Sequence, residues 1–215
     1  MCRARHRSGA PLSERPRLGF LPPRRIGLLG GSFNPAHEGH RHISREALKR
    51  LHLNQIWWLV SPQNPLKPSA GMAPMASRLA TARVMAGDRR IEVLDLESQL
   101  GTHYTVDTLA AITRLYPKTR FVWIMGADNL KQVRQWRQWR TIFHLMPIAV
   151  MDRPTYALPA LHDLAARYFR RQRLDPRSAR HLAVRGPPAW TYLPIPLNPN
   201  SASAIRASRQ KNPHR

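Results

Sequence analysis

Acid is what this sequence has least of for its size. Its 215 residues hold 12 Asp+Glu against 35 Lys+Arg, a formal net charge of +23. Such an imbalance attracts polyanions, so nucleic acid, an anionic membrane and phosphorylated metabolites are the candidate partners. Cysteine is nearly missing too. Cys2 stands alone, which excludes an intramolecular disulfide and fits a reducing, cytoplasmic setting. No apolar run approaches the roughly 20 residues that span a bilayer, so no membrane partner is expected. The Arg-rich, Pro-broken opening lacks the apolar stretch of a signal peptide. Neither a zinc-finger spacing nor an aromatic-basic RNA-recognition signature is present. The arginines, scattered along the chain, read mostly as solvated surface, and nucleic acid is not expected as a partner. No internal repeat occurs, and no linker is longer than a loop.

What remains is an alternating chain. Hydrophobic residues make up 42% of it, a globular composition. Residues 1–23 read as a basic, Pro/Arg-rich flexible tail, and 24–215 as one domain. "RIGLLGGSF" reads as a buried strand and "EGHRHISREALKRLH" as a helix. Strands follow at "QIWWLVS", "RIEVLDL", "RFVWIMG", "PIAVMDRP" and "WTYLPIP". Helices are expected at "PMASRLATARVMAG", "TVDTLAAITRLY" and "LHDLAARYFRRQR", as one long element over 127–146, and at "SASAIRASRQ". Strand-helix alternation of this kind predicts an α/β fold, a single doubly wound Rossmann-like domain with a mainly parallel sheet. Ligands of such sheets bind beyond the carboxyl ends of the strands, where the strand order reverses.

The stretch "LLGGSFNPAHEGHRHIS" lies at that edge. Gly30 and Gly31 lack Cβ atoms, which lets a phosphate approach the main chain and lets the turn use positive φ. The pattern is neither GxGxxG nor a Walker loop, since no Lys-Ser/Thr pair follows. His37 and His40 sit three apart at a helix start, so both imidazoles share a face turned toward anions at the helix N-terminus.

"GGSFNPAHEGH" resembles the GG-S/T-F-x-P-x-H-x-G-H signature of the nucleotidyltransferase superfamily, whose members transfer AMP or CMP from a nucleoside triphosphate. The resemblance implies in-line attack on the α-phosphorus without a covalent intermediate. It makes Gly30, Gly31, Ser32 and Phe33 part of the ATP site. His40 would stabilise the α-phosphate in the transition state, and His37 would hold the nucleotide phosphates. "NSASAIR" is similar to the family's I-S-S/A-T-x-I-R motif, with Ser201 and Ser203 on its hydroxyl positions and Arg206 on its arginine. A serine-rich helix start with an arginine one turn in suits a triphosphate.

Three middle motifs resemble those of the bacterial nicotinate mononucleotide adenylyltransferases: "THYTVDTL", "IMGADNL" and "QWRQWRTI". By that resemblance Gly126 and Asp128 meet the adenosine ribose, Tyr104 and Thr105 line the nicotinate pocket, and Trp136 stacks on the pyridine ring. Asn64 and Lys67 match a loop that carries asparagine and a basic residue toward phosphate, and Arg153 matches a family arginine. The implied substrates are ATP and nicotinate mononucleotide. Mg2+ would ride on the triphosphate with water completing its shell, and no protein-built metal site is expected. Nicotinamide mononucleotide or phosphopantetheine as acceptor, and a nucleic-acid-binding module on the same fold, are the alternative readings.

Overall fold

The computed structural model describes residues 24–62, 71–152 and 161–196. Seven strands form one sheet in the order β3-β2-β1-β4-β5-β7-β6, every neighbouring pair parallel. They are β1 (Arg25–Gly31), β2 (Gln55–Val60), β3 (Ile91–Leu94), β4 (Arg120–Gly126), β5 (Ile148–Met151), β6 (Arg173–Leu174) and β7 (Trp190–Leu193). The central strands are near-continuous apolar runs because helices cover both their faces. Ile26–Leu29 and Ile56–Val60 are buried at every position.

The helices are α1 (Glu38–Arg50), α2 (Met75–Ala86), α3 (Leu96–Leu100), α4 (Thr105–Leu115), α5 (Ala127–Gln132), α6 (Trp139–Leu145), α7 (Leu164–Tyr168) and α8 (Leu182–Arg185). Two apolar layers hold them. One packs Val106, Leu109 and Ile112 of α4 and Ile142 and Phe143 of α6 against Leu28, Trp57 and Trp123. The other packs Ile43, Ala47 and Leu48 of α1 and Ala82 and Ala86 of α2 against Leu29, Trp58 and Ile124. The fold is therefore doubly wound. After β3 the chain returns to the far side of β1 and lays down β4, so the strand order reverses between β1 and β4. A crevice at the carboxyl ends of those two strands is where such a sheet binds ligands.

Two helix expectations need correction. Residues 127–146 are not one helix: α5 runs into a 3-10 turn (Val133–Gln135), Trp136 is extended, and Gln138 is left-handed before α6 starts. The cause is phase. Val133 and Ile142 both have 0% exposure, yet nine residues of unbroken helix would place them about 180° apart. The break brings both inside. Residues 161–173 likewise reduce to α7, capped by Asp163 accepting from the Ala165 N–H at 3.3 Å, then a 3-10 turn and the two-residue strand β6. That strand, α3, α8 and the 3-10 stretch Pro176–His181 have no counterpart in the sequence reading. The helix expected at 201–210 lies outside the described residues.

Candidate active site at the β1/β4 crest

β1 ends at Gly31, and Ser32–His37 turn the chain into α1. Positive φ falls on Phe33 (φ 46) rather than on either glycine, both of which stay within the strand. A bulky residue adopts that conformation only where its surroundings dictate it. Here they do: Phe33 is 1% exposed, its ring stacked on Trp58 at 5.0 Å and against His40 at 4.6 Å. Its ring supports His40.

The space beside Gly30 is also filled from within. A Cβ there would lie 2.5 Å from Cη2 of Trp123, whose indole leans from β4 over the end of β1. The missing side chain admits that ring, which corrects the view of Gly30 as open for phosphate on that side. Gly30→Ala should therefore cost about 1–3 kcal/mol by overpacking. A thermal unfolding midpoint unchanged from wild type would contradict this.

His37 is the N-cap of α1 and only 4% exposed. Its Nδ1 accepts from the Gly39 N–H at 3.1 Å, while its own N–H donates to Nδ1 of His40 at 3.2 Å. The helix start is thus closed by two imidazoles, with ring centroids 3.9 Å apart. A nitrogen that accepts carries no proton. In the neutral form each ring therefore keeps its proton on Nε2. Ser44 fixes the arrangement from below: its hydroxyl donates to the His40 carbonyl at 2.9 Å and accepts from Trp58 Nε1 at 2.8 Å.

On the opposite crest, α5 springs directly from β4, with Gly126 as N-cap and Asp128 in the first turn. The Leu29–Ile124 pairing puts Gly126 level with the end of β1. On the α4 face, Tyr104 caps α4 without a side-chain hydrogen bond, and Thr105 is its first residue. Arg137 reaches across from the break before α6. Its guanidinium lies 4.8 Å from the Tyr104 ring centroid and 3.8 Å from Asp107 Oδ2. This brings the segment after Trp136 to the start of α4.

A family description now covers the same span: the cytidylyltransferase-like family model matches residues 28–208. A Parvibaculum lavamentivorans protein named "Probable nicotinate-nucleotide adenylyltransferase" is 53% identical over 187 residues, covering 87% of this chain and 93% of its own. A Gluconobacter oxydans protein of the same name is 51% identical over 189 residues, covering 88% and 97%. The chain belongs to the cytidylyltransferase-like family, in its nicotinate-nucleotide adenylyltransferase branch. The fold agrees with that of Plasmodium falciparum nicotinic acid mononucleotide adenylyltransferase complexed with NaAD, at TM-score 0.64 and 17% identity, over 86% of this chain and 83% of that one.

Six of the adenylyltransferase site residues expected from the motifs lie outside the described residues: Asn64, Lys67, Arg153, Ser201, Ser203 and Arg206. The rest fall into three sets. Gly30, Gly31, Ser32, Phe33, His37 and His40 form the β1-to-α1 turn, and Tyr104, Thr105 and Trp136 gather on the α4 face. Gly126 and Asp128 lie at the crest between them.

Sequence reading passed over Arg78, which is 3% exposed. Its signal was present, because Arg78, Ala82 and Ala86 form one stripe at i, i+4, i+8 and that stripe is the buried face of α2. Burial lowers the guanidinium's pKa, and the nearby Asp95 carboxylate partly opposes this. Glu97, also missed, accepts from the Ser61 hydroxyl at 2.8 Å. Burial pushes its carboxyl above the ordinary range, against the lowering pull of the Ser61 bond. Among the described residues, no group of three or more His, Cys, Asp or Glu gathers as a metal site, and no helix is long and apolar enough to cross a membrane.

Proposed function

We propose that this chain joins ATP and nicotinate mononucleotide, giving deamido-NAD and pyrophosphate in NAD biosynthesis. One observation carries the reading: two imidazoles at the start of α1, each with Nδ1 taken by a main-chain N–H, at the point where the strand order reverses. Each ring's proton is thereby set on Nε2, beside a helix N-terminus where phosphate is favoured. In the reaction, an oxygen of the mononucleotide phosphate attacks the α-phosphorus in line. The bond from that phosphorus to the oxygen bridging to the β-phosphate breaks, and pyrophosphate leaves with the electron pair. His40 donates to the α-phosphate oxygens as charge grows there, and His37 holds the chain of phosphates. Ser201, Ser203 and Arg206 take the β- and γ-phosphates. Gly126 and Asp128 meet the ribose. On the α4 face, Tyr104, Thr105 and Trp136 receive the nicotinate ring, with Asn64, Lys67 and Arg153 toward its phosphate.

Mg2+ fits this donor set as a passenger on ATP. It needs oxygen ligands, and the described crest offers imidazoles, main-chain N–H groups and the single Asp128 carboxylate, so phosphate oxygens and water would supply most of its shell. When bound it neutralises phosphate charge and eases departure of pyrophosphate. We place the protein in the cytoplasm, in keeping with its lone cysteine.

The test is pyrophosphate release from ATP and Mg2+ with and without nicotinate mononucleotide. Release that depends on the mononucleotide is the expected result. Salt-dependent binding of duplex or RNA with no such release would favour the nucleic-acid reading instead.

A further inference from the structure

Arg78 lies buried beneath the two loops that must carry the substrates. A guanidinium has five N–H donors in a planar fork, and this one spends all five on the protein. Nε donates to the Ala73 carbonyl at 3.0 Å, and Nη1 to the carbonyls of Ser32 and Ser61, both at 2.7 Å. Nη2 donates to the Pro62 carbonyl at 3.0 Å and to Sδ of Met75 at 3.2 Å. Ser32 sits in the turn from β1 to the two histidines. Ser61 and Pro62 open the connection that leads to Asn64 and Lys67. Ala73 begins the approach to α2. Three stretches of loop main chain, distant in sequence, therefore share one cation, and no N–H of that cation remains for phosphate.

The same junction is tied twice more. The Ser61 N–H donates to the Gly31 carbonyl at 2.9 Å. Asn34 donates from Nδ2 to the Gly71 carbonyl at 3.0 Å and accepts on Oδ1 from the Ala73 N–H at 3.3 Å.

We infer that Arg78 is a positioning residue: its guanidinium sets the β1-to-α1 turn and the start of the loop after β2, at Ser61 and Pro62, in fixed relation, so the turn that carries the two histidines is preorganised before substrate arrives. The inference rests on the adenylyl-transfer reading of that turn. Lysine cannot replace arginine in this role, since three donors on a point charge do not reproduce the fork.

The experiment compares wild type, Arg78→Lys, Asn34→Ala and Ala82→Gly. Ala82 lies on the same buried stripe of α2 but makes none of these bonds, so Ala82→Gly weakens the helix without touching the junction. Each protein is assayed at an equal interval below its own unfolding midpoint, and the rise of that midpoint with saturating ATP is measured separately. Arg78→Lys should lose about tenfold to hundredfold in kcat, by the size of misplacement effects, with KM rising for both substrates and a smaller ATP-induced rise. Asn34→Ala, a milder cut in the same junction, should lower kcat in the same direction, and Ala82→Gly should keep wild-type kcat. A folded Arg78→Lys with wild-type kcat and KM overturns the inference. If Arg78→Lys does not fold, unchanged kcat in Asn34→Ala overturns it. Equal losses in Ala82→Gly would also overturn it, by showing that α2 stability alone matters. Wild type that releases no pyrophosphate would overturn the functional reading instead, and the ATP-induced shift would still report on the junction.

Discussion

His40→Ala should lower kcat about 10²–10³-fold, the range for removing one preset donor from a developing oxyanion. The His40 ring is held in one tautomer and one orientation before substrate binds. Its Nδ1 is occupied by the His37 N–H, and its ring is held between Phe33 at 4.6 Å and His37 at 3.9 Å. Alanine also removes half of the cap on α1, at a cost of about 0.5–2 kcal/mol. The unfolding midpoint should therefore fall by a few degrees, and kcat is to be compared well below it. KM for ATP should change much less than kcat, because the lost contact strengthens only as charge moves onto the α-phosphate oxygens. A folded variant with near wild-type turnover would remove His40 from the chemistry.

The second large effect concerns the choice between acid and amide. Nicotinate carries a carboxylate, which only accepts hydrogen bonds, where nicotinamide carries an amide that also donates. Thr105 starts α4 with no side-chain cap on the helix, and we propose that main-chain N–H groups there and the Thr105 hydroxyl serve as the donors. The helix dipole adds positive potential, while the Arg137 guanidinium against Tyr104 is offset by the Asp107 carboxylate 3.8 Å away. Turned toward those donors, an amide NH2 leaves a polar group unpaired, at about 1–3 kcal/mol. We therefore expect kcat/KM to be at least about tenfold higher for nicotinate mononucleotide than for nicotinamide mononucleotide. Thr105→Val should narrow the gap. Equal values in the wild type would mean that the pocket reads only ring and phosphate.

What the sequence made legible follows from which forces have short range. Apolar runs and helical periodicity placed six of the seven strands and the parallel, doubly wound sheet. That His37 and His40 share a face was readable from their spacing of three; that the two rings also cap α1 was not. Other features depend on partners far along the chain. Nothing local marks Gly30 as the seat of Trp123, 93 positions on by its number. The break at Trp136–Gln138 comes from two core positions that demand opposite phases of one helix, and the apolar pattern shows that only when Val133 and Ile142 are known to be buried together. Arg78 shares a stripe with Ala82 and Ala86, a local sign of burial, but its partners come into reach only when the loops of β1 and β2 fold over it. Phe33 is left-handed because Trp58 and His40 hold its ring, and no local signal of residue type announces that.

The central claim is adenylyl transfer, and the most direct measurement follows the label of ATP. With nicotinate mononucleotide and Mg2+ present, ATP labelled at the α-phosphorus should place its label in the dinucleotide product. ATP labelled at the γ-phosphorus should place all of its label in pyrophosphate and none in the dinucleotide. Label from the γ-position in the mononucleotide-derived product, or α-label that never enters a dinucleotide, would contradict the account.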